Sequence, residues 1–385
     1  MDFELSEELV AMRDMARSFA EKEIKPHREA DEKEHRFRPE LVKKMADLGF
    51  FGCVIPEQYG GNGAGHLASV IITEEIARVS ASWGLPFNMQ TMGPGLTILA
   101  WGTEEQKRKY VPALVKADIF GCFAITEPNT GSDVASMETT AAEDADGFVM
   151  NGSKTWISNA QVADVGLVFA YTDKNAQPKH KGMSCFVVEM KNNPGIEARA
   201  IEGKLGLYCA PTGTITFENA KIPKSALLGA KGDGFKICMS MLDCTRLSSA
   251  ARAVGVARAC VEESVKYSLE RKQFGQPIAD FEMIQDQIAR MKVEEDAARL
   301  LVWRAAVKRD RGERNTLEVS MAKYAAGEAA VDAANEAVKI FGSYGYSTEY
   351  PVERLLRDAK SYQIVEGTSN IQKTIIAAYA LGRRK

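Results

Sequence analysis

The chain has 385 residues, a formal net charge of −3, 45% hydrophobic and 26% charged residues. That balance is ordinary for a soluble protein and gives no basic surface for nucleic acid. No uninterrupted apolar run is long enough to span a bilayer, and the length predicts two or three domains.

The first residues, Met1 to Glu8, are acidic and lack the basic and apolar regions of a signal peptide. The seven cysteines form no CxxC pair, and the four histidines show no zinc-ligand spacing. A reduced, cytoplasmic protein without a metal is expected.

Residues 1 to about 118 read as a helical domain. Leu9, Met12, Met15, Ala16 and Phe19 recur at helical spacing, and Pro26 ends or kinks that element. Glu40 to Leu48, Leu67 to Ser80 and Gly93 to Ala100 read as further helices. Gly60 to Gly65 imitates a dinucleotide fingerprint, but His66 stands where a glycine is needed, so the stretch reads as a connector. Thr103 and Gln106 fit a capping box.

From residue 119 to about 230 the texture changes to short β-branched and aromatic runs between turn dipeptides such as Asp146-Gly147 and Asn151-Gly152. An antiparallel barrel or sandwich is expected. From 231 to 385 long helices are predicted at Phe235 to Arg271, Phe281 to Arg309 and Leu317 to Ile340, as in an antiparallel bundle. The fold class is α+β, mainly α.

Five segments carry chemistry. Gly121 to Asp133 is an apolar strand running into a turn of hydroxyls and glycine, which can cradle a phosphate. Asn151 to Asn159 places Trp156 and Ser158 on one face of a strand, where a ring can stack on a planar ligand and a hydroxyl can bond its edge. Arg271 to Pro277 offers a guanidinium for pyrophosphate, or merely a charge at a helix end. Phe341 to Tyr346 is a glycine-bearing helix exit. Gln363 to Asn370 isolates Glu366 after an apolar lead; apolar surroundings would raise its pKa toward that of a base, whereas the plainer reading is an acid opening the last helix. Each alone fits a structural role.

In this order, ITEPNTGSD, NGSKTWISN, RKQFGQP and IVEGTSNIQ resemble the acyl-CoA dehydrogenase family over essentially the whole chain. The resemblance implies an N-terminal helical domain, a middle β domain, a C-terminal four-helix bundle and a homotetramer. It implies FAD, with Phe123, Ile125 and Thr126 lining the flavin and Ser132 near the pyrophosphate and the substrate. Trp156 would flank the ring system and Ser158 would bond near N5. Arg271, Gln273 and Phe274 would hold a neighbouring subunit's FAD, and Thr368 and Asn370 would complete the site. Lys339 and Ser343 depart from the usual glutamine and glycine. Asp243 and Arg246 match the segment that meets the acyl chain, and Glu366 matches the base that takes the α proton while the flavin takes the β hydride. Gly367 would lie beside the substrate. An electron-transferring flavoprotein is the implied acceptor; an oxygen-using acyl-CoA oxidase is the alternative.

The details lean toward the glutaryl-CoA dehydrogenase branch. That branch carries an arginine where Gly84 stands here, and its decarboxylating members carry a tyrosine where Val365 stands. An uncharged pocket of Trp83, Leu85, Phe87 and Val365 is therefore expected to take a bulky or alicyclic acyl group, as in cyclohexanecarboxyl-CoA, without decarboxylation. Glutaryl-CoA or a short-chain acyl-CoA is the alternative.

Overall fold

The computed structural model describes residues 4–384. Six helices come first: α1 (Glu7–Phe19), α2 (Arg28–Glu34), α3 (Pro39–Asp47), α4 (Gly65–Val79), α5 (Leu96–Trp101) and α6 (Glu104–Val115). The predicted capping box is present: Thr103 Oγ1 accepts from the Gln106 N–H at 3.2 Å, and Gln106 Oε1 accepts from the Thr103 N–H at 3.0 Å. The expected helix from Gly93 is entered through a wide turn, Asn88–Gly95, wound as a π-helix. The glycine connector is a tight crossing, because a Cβ on Gly61 would stand 1.8 Å from the Ile55 carbonyl oxygen.

Eight strands follow: β1 (Gly121–Ala124), β2 (Thr140–Glu143), β3 (Gly147–Ser158), β4 (Val165–Tyr171), β5 (Met183–Glu189), β6 (Ile196–Ala200), β7 (Thr212–Pro223) and β8 (Leu227–Leu228). They form one sheet in the order β6-β7-β3-β2-β4-β5-β8, with β1 also on β4. Most pairs are antiparallel, as expected, but β1 runs parallel to β4, which makes the sheet mixed. Every residue of β4 is buried, which its unbroken apolar run, Val165 to Tyr171, requires of a strand covered on both faces.

The chain closes with helices again. α7 (Gly234–Glu270) is 37 residues long. A small hairpin, β9 (Lys272–Gln273) and β10 (Gln276–Pro277), leads to α8 (Glu282–Asp310), α9 (Thr316–Phe341), α10 (Pro351–Lys360) and α11 (Ser369–Ala380). The core of this bundle is rich in alanine, with Ala250, Ala253, Ala257, Ala326, Ala330 and Ala334 all buried, so the helices approach closely. Buried charges lock the N-terminal helices to the bundle: Glu74 on α4 pairs with Arg299 on α8 at 2.9 Å, and Glu75 with Arg258 on α7 at 2.8 Å.

Asp358 of α10 accepts from the Leu207 N–H at 2.7 Å and joins the bundle to the β domain. Burial, reinforced by nearby Glu32, pushes its pKa from 3.8 to about 6, against the Leu207 bond and the Arg354 and Arg357 charges. Between those values the folded chain keeps a proton that the unfolded chain releases, so Asp358 costs stability increasingly as pH rises from about 4 to 6. Asp358→Asn removes that cost. Its effect on unfolding free energy should therefore be more favourable at pH 7.5 than at pH 4 by about 3 kcal/mol. Denaturant unfolding at the two pH values checks it, and an equal effect at both would refute it.

Candidate active site

Glu366 sits in the loop between α10 and α11. The Val365 N–H donates to the Ser361 carbonyl at 2.9 Å, which ends the preceding turn. Glu366 and Gly367 are then both left-handed, with φ of 58° and 88°. For a glutamate this conformation costs about 1–2 kcal/mol and persists only where surrounding contacts fix it. They do so here. Arg246 Nε on α7 donates to the Glu366 carbonyl at 3.0 Å, and Gln372 Nε2 does so at 3.2 Å. Lys323 Nζ on α9 donates to the Gly367 carbonyl at 2.8 Å. Arg246 is steadied by Asp243 at 3.3 Å, and Asp243 by the Thr316 hydroxyl at 2.6 Å.

The Glu366 carboxylate is held at both oxygens. Oε1 accepts from Asn88 Nδ2 at 3.0 Å, and Oε2 accepts from the Thr245 hydroxyl at 2.7 Å. Its backbone N–H makes no hydrogen bond among the described residues. Burial lowers the Lys323 pKa to about 8, although the Glu366 charge pulls the other way. Burial likewise holds Arg246 below the ordinary arginine value, against Asp243 and Glu366. The plainer reading of this segment also finds its residue: Thr368, not Glu366, is the N-cap of α11, accepting from the Ile371 N–H at 3.3 Å.

The turn Asn88–Gly95 connects this base to β1. Asn88 bonds Glu366, while a Cβ on Gly93 would stand 2.9 Å from the Phe123 ring. Phe123 packs with Leu85, Met89, Leu207 and Ala210. Past β1, Ile125 and Thr126 are half-buried, and the Thr126 carbonyl accepts from the Thr155 N–H at 2.9 Å. Ser132 lies on the exposed bend beyond. Trp156 does not follow simple strand alternation with Ser158. β3 carries one extra residue between Lys154 and Ile157, and Trp156 occupies this bulge with φ of 59°. The bulge leaves its ring 60% exposed, whereas Ser158 pairs with Thr212 at the strand end.

A second expectation is also corrected. Trp83 and Phe87 are fully buried in the N-terminal core, Trp83 stacked on Phe37 at 5.6 Å and Phe87 edge-on to Phe51 at 5.3 Å. Of the four residues expected to form the pocket, they leave Leu85, beside Phe123, and the half-buried Val365. Arg271, Gln273 and Phe274, expected to serve a neighbouring subunit's FAD, lie far from Glu366 of the same chain. Arg271 lies about 37 Å along α7 from Arg246. Phe274, 95% exposed with φ of 52°, caps that far end. Asn370 is exposed at the start of α11, and Lys339 forms an ion pair with Glu336 at 2.7 Å, away from the base.

Sequence reasoning missed Asn88, Lys323 and Gln372. Gln372 closes the IVEGTSNIQ segment but was given no role there, Asn88 and Lys323 sit in no motif, and Asn88 reaches Glu366 across 278 positions. No spacing rule foreshadows such a contact.

Three family models match in succession: acyl-CoA dehydrogenase N-terminal domain over residues 6–118, middle domain over 122–220 and C-terminal domain over 232–381. The chain is 51% identical to a glutaryl-CoA dehydrogenase of Desulfococcus multivorans, covering 100% of this chain and 99% of the relative. It is similar to the solved glutaryl-CoA dehydrogenase–glutaryl-CoA complex, with 50% identity, a TM-score of 0.97 and coverage of 100% and 98% of the two chains. A solved FAD complex of PigA is 30% identical with a TM-score of 0.94, each chain covered fully. The chain belongs to the acyl-CoA dehydrogenase family, flavin-dependent oxidoreductases that act on the CH–CH bond of acyl-CoA thioesters.

Proposed function

We propose that this enzyme removes the α and β hydrogens of an acyl-CoA without decarboxylation, with Glu366 as the base. One observation carries the reading: a carboxylate held at both oxygens beside a backbone N–H that no group of the described chain uses. The α proton passes to Glu366. The free Glu366 N–H faces the thioester carbonyl as charge develops on its oxygen, and Arg246 fixes the next peptide through the Glu366 carbonyl. Asn88 and Thr245 keep the carboxylate in one orientation while it waits.

The cofactor is FAD. The residues suit it: an exposed indole locked in a bulge, next to the half-buried Thr126 segment, presents a flat apolar face outward. Ser158, Ser132, Thr368 and Asn370 would add polar contacts, and a second copy in a homotetramer would bring Arg271, Gln273 and Phe274. When bound, FAD supplies the two-electron oxidant for the β hydrogen. Electrons then pass to an electron-transferring flavoprotein, in a cytoplasmic setting that suits the seven buried free cysteines.

Val365, packed at the edge of the bundle core, stands where decarboxylating relatives carry tyrosine. The acyl group is apolar next to the thioester, and an alicyclic ring of the cyclohexanecarboxyl type is one fit. A chain of the glutaryl type is a second reading, favoured by a buried arginine beside Gly84. Anaerobic titration of the FAD-loaded protein with butyryl-, cyclohexanecarboxyl- and glutaryl-CoA tests the reaction. Flavin bleaching by at least one is expected, with no carbon dioxide from glutaryl-CoA. Bleaching by none would refute the function, and release of carbon dioxide would refute the role of Val365.

A further inference from the structure

Arg252 on α7 is 1% exposed, yet no carboxylate pairs with it among the described residues. Its only hydrogen bond there runs from Nε to the Ser248 carbonyl at 3.4 Å, and its guanidinium carbon lies 5.6 Å from the centre of the Tyr362 ring. An uncompensated buried cation is among the costliest groups a fold can carry, so its retention asks for an anion that the chain does not supply.

The location is specific. A Cβ on Gly84 would stand 2.6 Å from Arg252 Cγ and 2.8 Å from Cδ, so the arginine stem fills the space that any side chain at position 84 would need. Thr245, Ser248, Ser249 and Arg252 recur at helical spacing along one face of α7, and Thr245 is the residue that holds the Glu366 carboxylate. A helical side chain leans toward the helix N-terminus, here toward Thr245, so Arg252 reaches back to Ser248, about 5 Å along the axis from Thr245. Along the same stretch, the hydroxyls of Ser248, Ser249 and Tyr362 are buried without partners.

We infer that Arg252 is the specificity-determining cation for a carboxylate at the far end of the acyl chain, reaching the site from the helix instead of from the loop at Gly84. The inference rests on the reading of Glu366 as base. The substrate class is then a dicarboxylic acyl-CoA with a few carbons between thioester and carboxylate, held by the planar guanidinium fork. Gly84 is not the loss of a cation but the space that admits one from another element.

The test is kcat/KM of the FAD-loaded enzyme for glutaryl-CoA against butyryl-CoA, read as a ratio. The wild type should favour glutaryl-CoA, and Arg252→Met should lower the ratio about a hundredfold. The double variant Arg252→Gly with Gly84→Arg should recover part of it, which a merely structural arginine would not allow. A wild-type ratio at or below one, or an unchanged ratio in Arg252→Met, overturns the assignment. If Arg252→Met loses FAD, Arg252→Lys decides: its ratio should fall about tenfold through loss of the fork, and an unchanged ratio overturns the proposal. Bleaching by butyryl-CoA without preference refutes Arg252 alone, whereas no bleaching by either thioester refutes the base assignment as well.

Discussion

Glu366→Gln should lower kcat about a thousandfold while the protein keeps its FAD and its fold. The geometry argues for a clean substitution. The Thr245 hydroxyl can still donate to an amide oxygen placed at Oε2. On the other side, Asn88 Oδ1 is buried without a partner, so a rotation of the Asn88 amide turns a donor into an acceptor for the new NH2. The Arg246 and Gln372 bonds to the main-chain carbonyl do not involve the side chain and remain. What disappears is the capacity to take a proton. Rapid-mixing measurement of flavin reduction, with FAD content by absorbance, checks the expectation. Reduction at the wild-type rate would transfer the base to another group.

The second large effect is on stability. Lys154 and Glu127 form an ion pair at 2.7 Å with side chains 0% and 3% exposed. Burial lowers the Lys154 pKa to about 8 against the pull of Glu127. Glu127 also accepts from the Glu138 and Thr139 N–H groups, at 2.5 and 3.0 Å, and Lys154 donates to the Ile125 carbonyl at 3.2 Å. The pair therefore ties β3 to the turn that follows β1, on either side of Trp156 and Thr126. Lys154→Met leaves a buried carboxylate without its cation and should cost about 3–5 kcal/mol. Adding Glu127→Gln should recover much of the loss, because the uncompensated charge is then gone. Chemical denaturation of the three variants, with FAD retention measured alongside, checks both statements. A single-variant cost below about 1 kcal/mol, the scale of exposed pairs, would show the pair to be solvated.

The legible parts of the chain were those written locally. Helical spacing and the Thr103–Gln106 cap placed α3, α4, the start of α6 and the three long bundle helices within a residue or two of their ends, because both signals act within a turn or two of backbone; the helix expected from Gly93 starts instead at Leu96, and α2 was not read. The bulge at Trp156 escaped because it depends on register against β7, and register is a property of two strands. Trp83 and Phe87 look the same in sequence as residues lining a pocket; only the positions of Phe37 and Phe51 send them into a core. Glu366 was recognisable from its family-like neighbours. Its clamp was not, since Asn88, Lys323 and the Thr245–Arg246 pair arrive from three separate elements.

The left-handed backbone at Glu366 also bears on how such a chain can decay. Glycine tolerates that conformation at no steric cost, so the commonest route to a more relaxed loop is also the route to a dead enzyme. Heat or crowding would favour the inactive sequence, and only demand for turnover keeps the carboxylate in place. A scaffold of this kind can drift into a robust thioester-binding protein by one substitution, whereas the return journey requires the strain to be accepted again.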